Sequence, residues 1–126
     1  MKRSGFRRRN KFGAVPTIRD GIKFPSTLEG DHYEQLKYLQ IAGEISSLEL
    51  QFEMVLNVNG KQICIYVADY RYYDRKAEAW VISDAKGVET AVFRLKWKLV
   101  QALFPEYIFE LRKRHKITRT KPQANK

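Results

Sequence analysis

A β-hairpin that carries one aspartate on each strand is the feature that most constrains how this chain can fold. Two strand-like segments, residues 63–73 and 79–84, are joined by the polar turn Asp74-Arg75-Lys76. Asp69 and Asp84 lie equally far from the midpoint of the turn, so a symmetric hairpin pairs them across the strands. Cross-strand partners have Cβ atoms roughly 4.5–5.5 Å apart. Like charges this close are destabilising, and we therefore expect a cation between the two carboxylates.

Lys86 extends this pattern, because it lies two residues after Asp84 and so faces the same side of the strand. Carboxylate oxygens are the ligands that Mg²⁺ and Mn²⁺ prefer. The pattern therefore predicts a site for a hard divalent cation beside a lysine. A simpler interpretation stays open for each residue: Asp69 could form a surface ion pair, and Asp84 and Lys86 could mark an exposed strand end.

Charge is distributed unevenly along the chain, whose net charge is +10. Residues 1–12 carry six basic residues and no acidic one, and residues 112–126 carry seven, again without an acid. Basic arms bind phosphate backbones with an affinity that falls as salt rises, so we expect Arg7, Arg8 and Arg9 to contact nucleic acid. The alternatives are solubilising tails or binding to an anionic membrane, although neither arm shows an amphipathic apolar stripe.

The remaining composition argues against several classes of protein. Cys64 is the only cysteine, so an intrachain disulfide is impossible and a zinc cluster is disfavoured. His32 and His115 show no ligand spacing. No apolar run approaches the length of a membrane span, and the basic N-terminus lacks the apolar region of a signal peptide. At 126 residues we expect one domain in a reducing cytoplasm, without a membrane partner or a small-molecule cofactor.

The N-terminal third predicts an irregular arm followed by a helix. Residues 1–20 should be irregular, because Val15-Pro16 disfavours a helix there. The segment from Ser26 to Glu29 is a capping-box pattern, which opens a helix. Leucines then recur at helical spacing until Gly43 supplies a stop, which predicts a helix over 27–42.

The rest of the chain predicts a small mixed sheet. A strand-like segment at 48–57 and the turn Asn59-Gly60 lead into the first strand of the hairpin. A second helix is expected over 89–104 and a last short strand over 107–111. The apolar stripe expected on that helix consists of Val88, Val92, Leu95, Leu99 and Leu103. A strand followed by a crossover helix and another strand suggests that the last strand joins the sheet parallel to a neighbour. The fold class is therefore α/β, with the order helix, three antiparallel strands, helix, strand.

This order, with an acid on the second strand and acid-x-Lys on the third, resembles the core of the PD-(D/E)xK nuclease superfamily. Within it, the chain is similar to small phage-encoded proteins described as uncharacterised or as Holliday-junction-type endonucleases. The resemblance covers roughly residues 20–111. Its motifs are Phe24-x-Ser26-x-x-Glu29, Ala42-Gly43-Glu44-Ile45, Leu50-Gln51, Ala68-Asp69 and Asp84-x-Lys86-Gly87. Ala68 replaces a proline that is common in the superfamily, and Asp84 stands where glutamate is common, but neither departure removes a needed functional group.

The resemblance implies a restriction-endonuclease-like core and a catalytic site. Asp69 and Asp84 would ligate Mg²⁺, or Mn²⁺ as a substitute, helped by the Ala85 carbonyl. Glu29 would complete the metal site directly or through water, although its place in the capping box explains a glutamate there without any metal. Lys86 would orient the attacking water. Gln51 would support the site or contact DNA, and an ordinary polar strand residue is an equal interpretation.

The implied function is a Mg²⁺-dependent endonuclease on branched or recombination-intermediate phage DNA, acting in the host cytoplasm. Symmetric cleavage of a four-way junction needs two active sites, so we expect a homodimer. The folded domain would span 21–111, between a basic arm at 1–20 and a basic tail at 112–126. Candidate DNA contacts on the second helix are Arg94, Lys96 and Lys98, unless they form a merely solvated face. The alternatives are a non-catalytic DNA-binding protein on a nuclease-like fold and, more distantly, an RNA-associated basic protein.

Overall fold

A computed structural model describes residues 15–123 of the chain. These residues form a two-stranded ribbon, a five-stranded sheet and two helices. The elements in order are β1 (Thr17–Arg19), β2 (Ile22–Phe24), α1 (Thr27–Ile41), β3 (Ile45–Val58), β4 (Lys61–Asp74), β5 (Ala79–Ala85), α2 (Ala91–Leu103), β6 (Ile108–Lys113) and β7 (Lys116–Arg119). Neither helix in this range is long and apolar enough to cross a membrane.

The large sheet has the strand order β3-β4-β5-β6-β7. Its neighbours are antiparallel except β5 and β6, which run parallel and are connected by α2. A parallel pair needs such a crossover, because a tight turn can only reverse the chain. The predicted α/β class, the antiparallel hairpins and the parallel last neighbour are therefore confirmed.

The two helices pack on opposite faces of the sheet, and β5 is buried between them. Val81 belongs to the apolar cluster that includes Leu36 of α1, whereas Ile82 belongs to the cluster that includes Phe93 of α2. Side chains alternate between the faces of a strand, so consecutive residues of β5 reach different cores. A central strand covered on both faces explains why Val81 and Ile82 are both fully buried.

α1 begins and ends within one residue of its predicted bounds. The Ser26 side chain caps it by accepting a hydrogen bond of 3.1 Å from the Glu29 backbone N–H. At the other end, Gly43 adopts a φ of 82°, a left-handed conformation in which glycine avoids the strain of a side chain.

α2 presents a different face to the core from the one predicted. Val88, Val92 and Leu95 are exposed, so the expected stripe is wrong there, and only its last two members, Leu99 and Leu103, pack against the core. The buried residues of the helix are Phe93 and Val100, with Trp97 partly buried between them. Large aromatic side chains contribute most of the buried area, and the predicted stripe of α2 contained only aliphatic residues.

Both ends of the described range contain strands that the sequence analysis missed. β1 and β2 form a hairpin around Asp20-Gly21, where both residues have a left-handed φ, so the expected irregular structure is wrong for residues 17–19. At the C-terminal end β7 pairs with β6, so residues 116–119 belong to the sheet and not to a tail. Ion pairs from Arg119 to Asp74 and Glu110 hold β7 in place.

Candidate active site

The two aspartates meet where β4 and β5 separate. The observed register runs from Asp74↔Ala79 to Tyr70↔Ser83, as predicted, and places Asp69 and Asp84 at the next position. There the carboxylates bond to the backbone of the opposite strand. The Asp69 N–H donates to Asp84 Oδ1 at 3.1 Å, and the Ala85 N–H donates to Asp69 Oδ2 at 3.0 Å. Each side chain is therefore fixed beside the neighbouring strand.

Both aspartates are buried, which is unusual for acidic residues. Asp69 is 8% exposed and Asp84 is 0% exposed, so neither is an exposed surface residue. Asp84 Oδ2 is buried and has no hydrogen-bond partner among the described residues. An unsatisfied buried polar atom costs about 1–3 kcal/mol, and more when it is charged. Burial accordingly raises the pKa of Asp84 to about 7.

Glu29 brings a third carboxyl to the same place from the first turn of α1. Burial, followed by the nearby charge of Asp69, raises the pKa of Glu29 to about 8. The Tyr70 hydroxyl donates to the Glu29 carbonyl at 2.8 Å and so ties this turn of the helix to β4. The Ser26 hydroxyl caps the helix through the Glu29 backbone N–H, which leaves the Glu29 carboxyl beside Asp69. The cap and the carboxyl cluster are thus compatible.

Lys86 supplies the cation nearest to these acids. Its charge lowers the pKa values of Glu29, Asp69 and Asp84, but burial outweighs it and the net shift of each is upward. The ammonium lies 5.0 Å from the centre of the Phe93 ring, and the Lys86 backbone N–H donates to a β6 carbonyl at 2.9 Å. One lysine therefore faces two buried acids and the half-buried Glu29, and the cluster has an excess of negative charge.

The donor chemistry of this acid cluster, defined as Glu29, Asp69, Asp84 and Lys86, fits a hard divalent cation. Each aspartate uses one oxygen on a backbone N–H; beyond that, the Asp69 carboxyl meets the Glu29 carboxyl, and Asp84 Oδ2 has no partner among the described residues. Within residues 15–123, however, no three His, Cys, Asp or Glu side chains are already gathered as a metal site. Carboxylates repel one another when no cation lies between them, so a preassembled set is not expected without the ion.

The remaining predicted residues lie around this cluster or outside the described range. Gln51 falls between the pairs Leu50↔Tyr70 and Phe52↔Ala68, so it lies opposite Asp69, but its side chain is exposed. It has a φ of 55°, which is uncommon for a residue other than glycine.

The predicted cations fall into two groups. On α2, Arg94 and Lys98 are exposed and Lys96 is half-buried. Arg94 also donates to the Glu89 carbonyl at 2.8 Å. Arg7, Arg8 and Arg9 lie outside the described residues, so their role stays a prediction.

A second buried cluster, which we call the histidine network, was missed by the sequence analysis. His32 Nε2 lies 2.7 Å from Ser83 Oγ, and both Ser83 and Tyr72 donate to Glu110 Oε1, at 2.8 and 3.1 Å. Burial favours the neutral form of Glu110, but hydrogen bonds and charge from His32 outweigh it, and the pKa of Glu110 is lowered. One signal for this network was available in the sequence: His32 lies one helical turn after Glu29 and therefore on the same side of α1.

Two clefts border these clusters. A cleft of about 580 Å³ lies beside the acid cluster and is lined by Glu29 and Lys86 together with Arg112 and Arg114 of the β6–β7 region. A larger cleft of about 720 Å³ lies beside the histidine network and includes Glu110 and Arg119. Asp74 and Glu110 of the larger cleft are ion-paired with Arg119, whereas Glu29 of the smaller cleft lies beside Asp69 and Asp84, whose charge Lys86 does not fully offset. We therefore place the candidate site in the smaller cleft.

Fold and site together define an α/β protein with a buried acid cluster at the end of a central β-hairpin. The chain belongs to the family described as protein of unknown function (DUF1064), whose model matches residues 9–120. The match contains all four residues of the acid cluster as well as Gln51. No curated protein and no solved structure matches the chain.

Proposed function

We propose that this protein is a Mg²⁺-dependent endonuclease that hydrolyses phosphodiester bonds in DNA, with Mn²⁺ as a substitute metal. The observation that carries the proposal is the buried, undercompensated acid cluster, above all the unpartnered Asp84 Oδ2. Two buried acids and a half-buried third beside one lysine destabilise the free protein, and such an arrangement is typical of a binding or catalytic site. A divalent cation would supply the missing positive charge.

The order of elements supports a restriction-endonuclease-like core. Glu29 lies on the helix before the sheet, Asp69 on the second strand of the sheet and Asp84 on the third, with Lys86 two residues later. This is the arrangement that the resemblance to the PD-(D/E)xK superfamily requires. The parallel β5–β6 pair and the crossover helix α2 agree with it.

The residues of the cluster have separable roles in this proposal. Asp69 and Asp84 would hold the metal through their carboxylate oxygens, and Glu29 would complete the set. When bound, the metal would supply an activated water and neutralise charge on the phosphate. Lys86 would stabilise the charge that develops on the phosphate and orient the attacking water. Phe93 and the backbone of β6 hold Lys86 in position for this role.

We further propose branched or recombination-intermediate DNA as the substrate, cut by a homodimer in the cytoplasm of an infected host. Two copies of the site would allow symmetric incisions in a four-way junction. A measurement of molar mass in solution tests this part separately. Symmetric cutting by a protein that stays monomeric on the junction would contradict it.

The second candidate is a non-catalytic DNA-binding protein on the same fold. It is favoured by the basic residues of the smaller cleft, Lys86, Arg112 and Arg114, which can bind phosphate without any metal. Its prediction is DNA binding that persists in EDTA, with no cleavage in any metal.

One experiment separates the two candidates. The purified protein is incubated with labelled four-way junction, flap, linear duplex and single-stranded DNA, in Mg²⁺, Mn²⁺ or EDTA. We expect cleavage with either metal, none in EDTA and none by Asp84→Ala. Glu53→Gln is the matched control, because Glu53 is an exposed acid of β3. Cleavage that survives EDTA or the Asp84 substitution would overturn the proposal.

Glu29→Gln tests the third acid in the same assay. Glutamine still supports the capping box but is a poor metal ligand. We expect cleavage to fall by about 10- to 100-fold, the range typical of residues that complete a metal site. Unchanged cleavage would restrict Glu29 to its role at the start of α1.

A further inference from the structure

The cleft beside the acid cluster has a basic wall that the proposed chemistry does not use. Arg112 and Arg114 form this wall, and they line the cleft of about 580 Å³ together with Lys86 of the acid cluster. Asp31 also lines it, but its carboxylate is paired with Arg19 at 2.8 Å. Beyond the acid cluster itself, the cleft therefore presents net positive charge.

The parallel β5–β6 pair places this basic wall next to the acids. Arg112 is the register partner of Ala85, and its carbonyl accepts from the Lys86 N–H at 2.9 Å. Arg114 follows in the β6–β7 turn and also lines the cleft. Lys113 lies between the two arginines, faces the other way and pairs with Glu89. Alternation along β6 thus directs Arg112 into the cleft and Lys113 out of it, and the β6–β7 turn brings Arg114 back to the cleft.

The two guanidinium groups keep donors free for a ligand. One Arg112 nitrogen, Nη1, donates to Gln35 of α1, which orients the side chain and leaves its other N–H donors. Arg114 is exposed. Planar guanidinium groups suit phosphate, because two of their N–H donors match two phosphate oxygens.

We propose that Arg112 and Arg114 bind the phosphate backbone of the DNA strand that leaves the acid cluster, so that the substrate runs from Lys86 along β6 toward the β6–β7 turn. This inference rests on the proposed function for the identity of the ligand. The start of α2 agrees with it, since Thr90 lines the same cleft and the first turn of α2 contains no acidic residue. The competing path follows the exposed cations of α2, Arg94 and Lys98.

DNA binding measured in EDTA tests the path without requiring cleavage. Fluorescence anisotropy of a labelled duplex and a labelled four-way junction is recorded over a range of salt concentrations. Arg112→Gln/Arg114→Gln is compared with Arg94→Gln/Lys98→Gln, which removes the same charge, and with Lys113→Gln. We expect the first variant to bind about tenfold more weakly and its log–log salt slope to fall by about 1.8, or 0.9 per lost phosphate contact. The other two should change affinity less than about threefold.

The outcomes separate this inference from the proposed function. Equal losses in the two double variants, or wild-type affinity in the Arg112/Arg114 variant, overturn the path along β6. If the wild-type protein cuts no DNA in Mg²⁺ or Mn²⁺ but the Arg112/Arg114 variant still loses binding, the nuclease proposal fails and this inference stands. The single variant Arg114→Gln is the control for misfolding of the double variant, because Arg114 is exposed and its substitution should not disturb the fold. It should lower the salt slope by about 0.9, and an unchanged slope overturns its role.

Discussion

The acid cluster and the histidine network lie side by side, but they differ in how well their buried carboxylates are compensated by hydrogen bonds and opposite charges. Glu29 and His32 share α1, and Asp84 and Ser83 are neighbours on β5. In the network both oxygens of Glu110 have partners, because Oε1 accepts from Ser83 and Tyr72 and Oε2 lies 3.3 Å from Arg119 Nε. Within residues 15–123 the unpartnered buried atom of the acid cluster is the carboxylate oxygen Asp84 Oδ2, whereas that of the network is the ring nitrogen His32 Nδ1.

The directions of the pKa shifts follow this difference in the partners of the carboxylate oxygens. The pKa of Glu110 is lowered, so folding favours its charged form. The pKa values of Glu29, Asp69 and Asp84 are raised, so folding disfavours the charged forms of these three acids. Local rules of satisfaction are broken most often at functional sites. The comparison therefore indicates that the network stabilises the fold, and it supports the proposal that the acid cluster binds a cation.

The largest expected effect is on cleavage. Asp84→Asn should reduce DNA cleavage in Mg²⁺ by about 10³-fold or more, because it removes the charge and a metal-ligating oxygen. Glu110→Gln changes an equally buried carboxyl of the network and should leave the rate within about tenfold, measured below its unfolding temperature. Gel assays of single-turnover cleavage check both rates. A similar loss in the two variants would remove the functional distinction between the clusters.

The next effect is on stability, where the same two variants should differ in sign. In EDTA at pH 8, Glu110→Gln should lower the free energy of unfolding by about 3 kcal/mol, because it leaves a charged network without its anion. Asp84→Asn should raise it by about 1–2 kcal/mol, because it removes a charge that folding buries unpaired. Urea unfolding followed by tryptophan fluorescence measures both. Destabilisation by Asp84→Asn would show that the Asp84 charge supports the fold.

This contrast also marks the limit of what the sequence could predict. The pairing of Asp69 with Asp84 was predictable because a hairpin register depends on a local turn and on two strand lengths. The network joins His32, Ser83 and Glu110 from three elements far apart in the chain, and no local pattern encodes that meeting.

The β1–β2 hairpin and the buried face of α2, in contrast, have local signals in the sequence. The Asp20-Gly21 turn is typical of a hairpin, and it could have located β1 and β2. On α2 the aromatic residues Phe93 and Trp97 determine the buried face. The aliphatic stripe did not separate the exposed Val92 and Leu95 from the side chains that pack.

The acid cluster and the histidine network should change the free energy of unfolding with pH in opposite directions. The expected difference is about 2 kcal/mol. A raised pKa means that the folded state binds more protons, so in EDTA stability should fall as the pH rises from about 4 through the folded pKa values, about 7 for Asp84 and about 8 for Glu29. The lowered pKa of Glu110 acts on the other side, and its contribution is lost as the pH falls below about 4.5. Urea unfolding at a series of pH values should show Asp84→Asn with a shallower fall at neutral pH. An unchanged fall would mean that Asp84 is not the titrating group.

The smallest effect, and the most direct one, is stabilisation by the ion itself. A ligand that binds only the folded state at ten times its dissociation constant adds about 1.4 kcal/mol, which corresponds to roughly 3–6 °C in the unfolding temperature of a domain of this size. Mg²⁺ should therefore raise the unfolding temperature of the wild-type protein and of Glu110→Gln by similar amounts, and that of Asp84→Asn hardly at all. Equal shifts in all three would place the ion elsewhere. A shift lost only in Glu110→Gln would reverse the comparison, because the network would then be the cluster that needs a ligand.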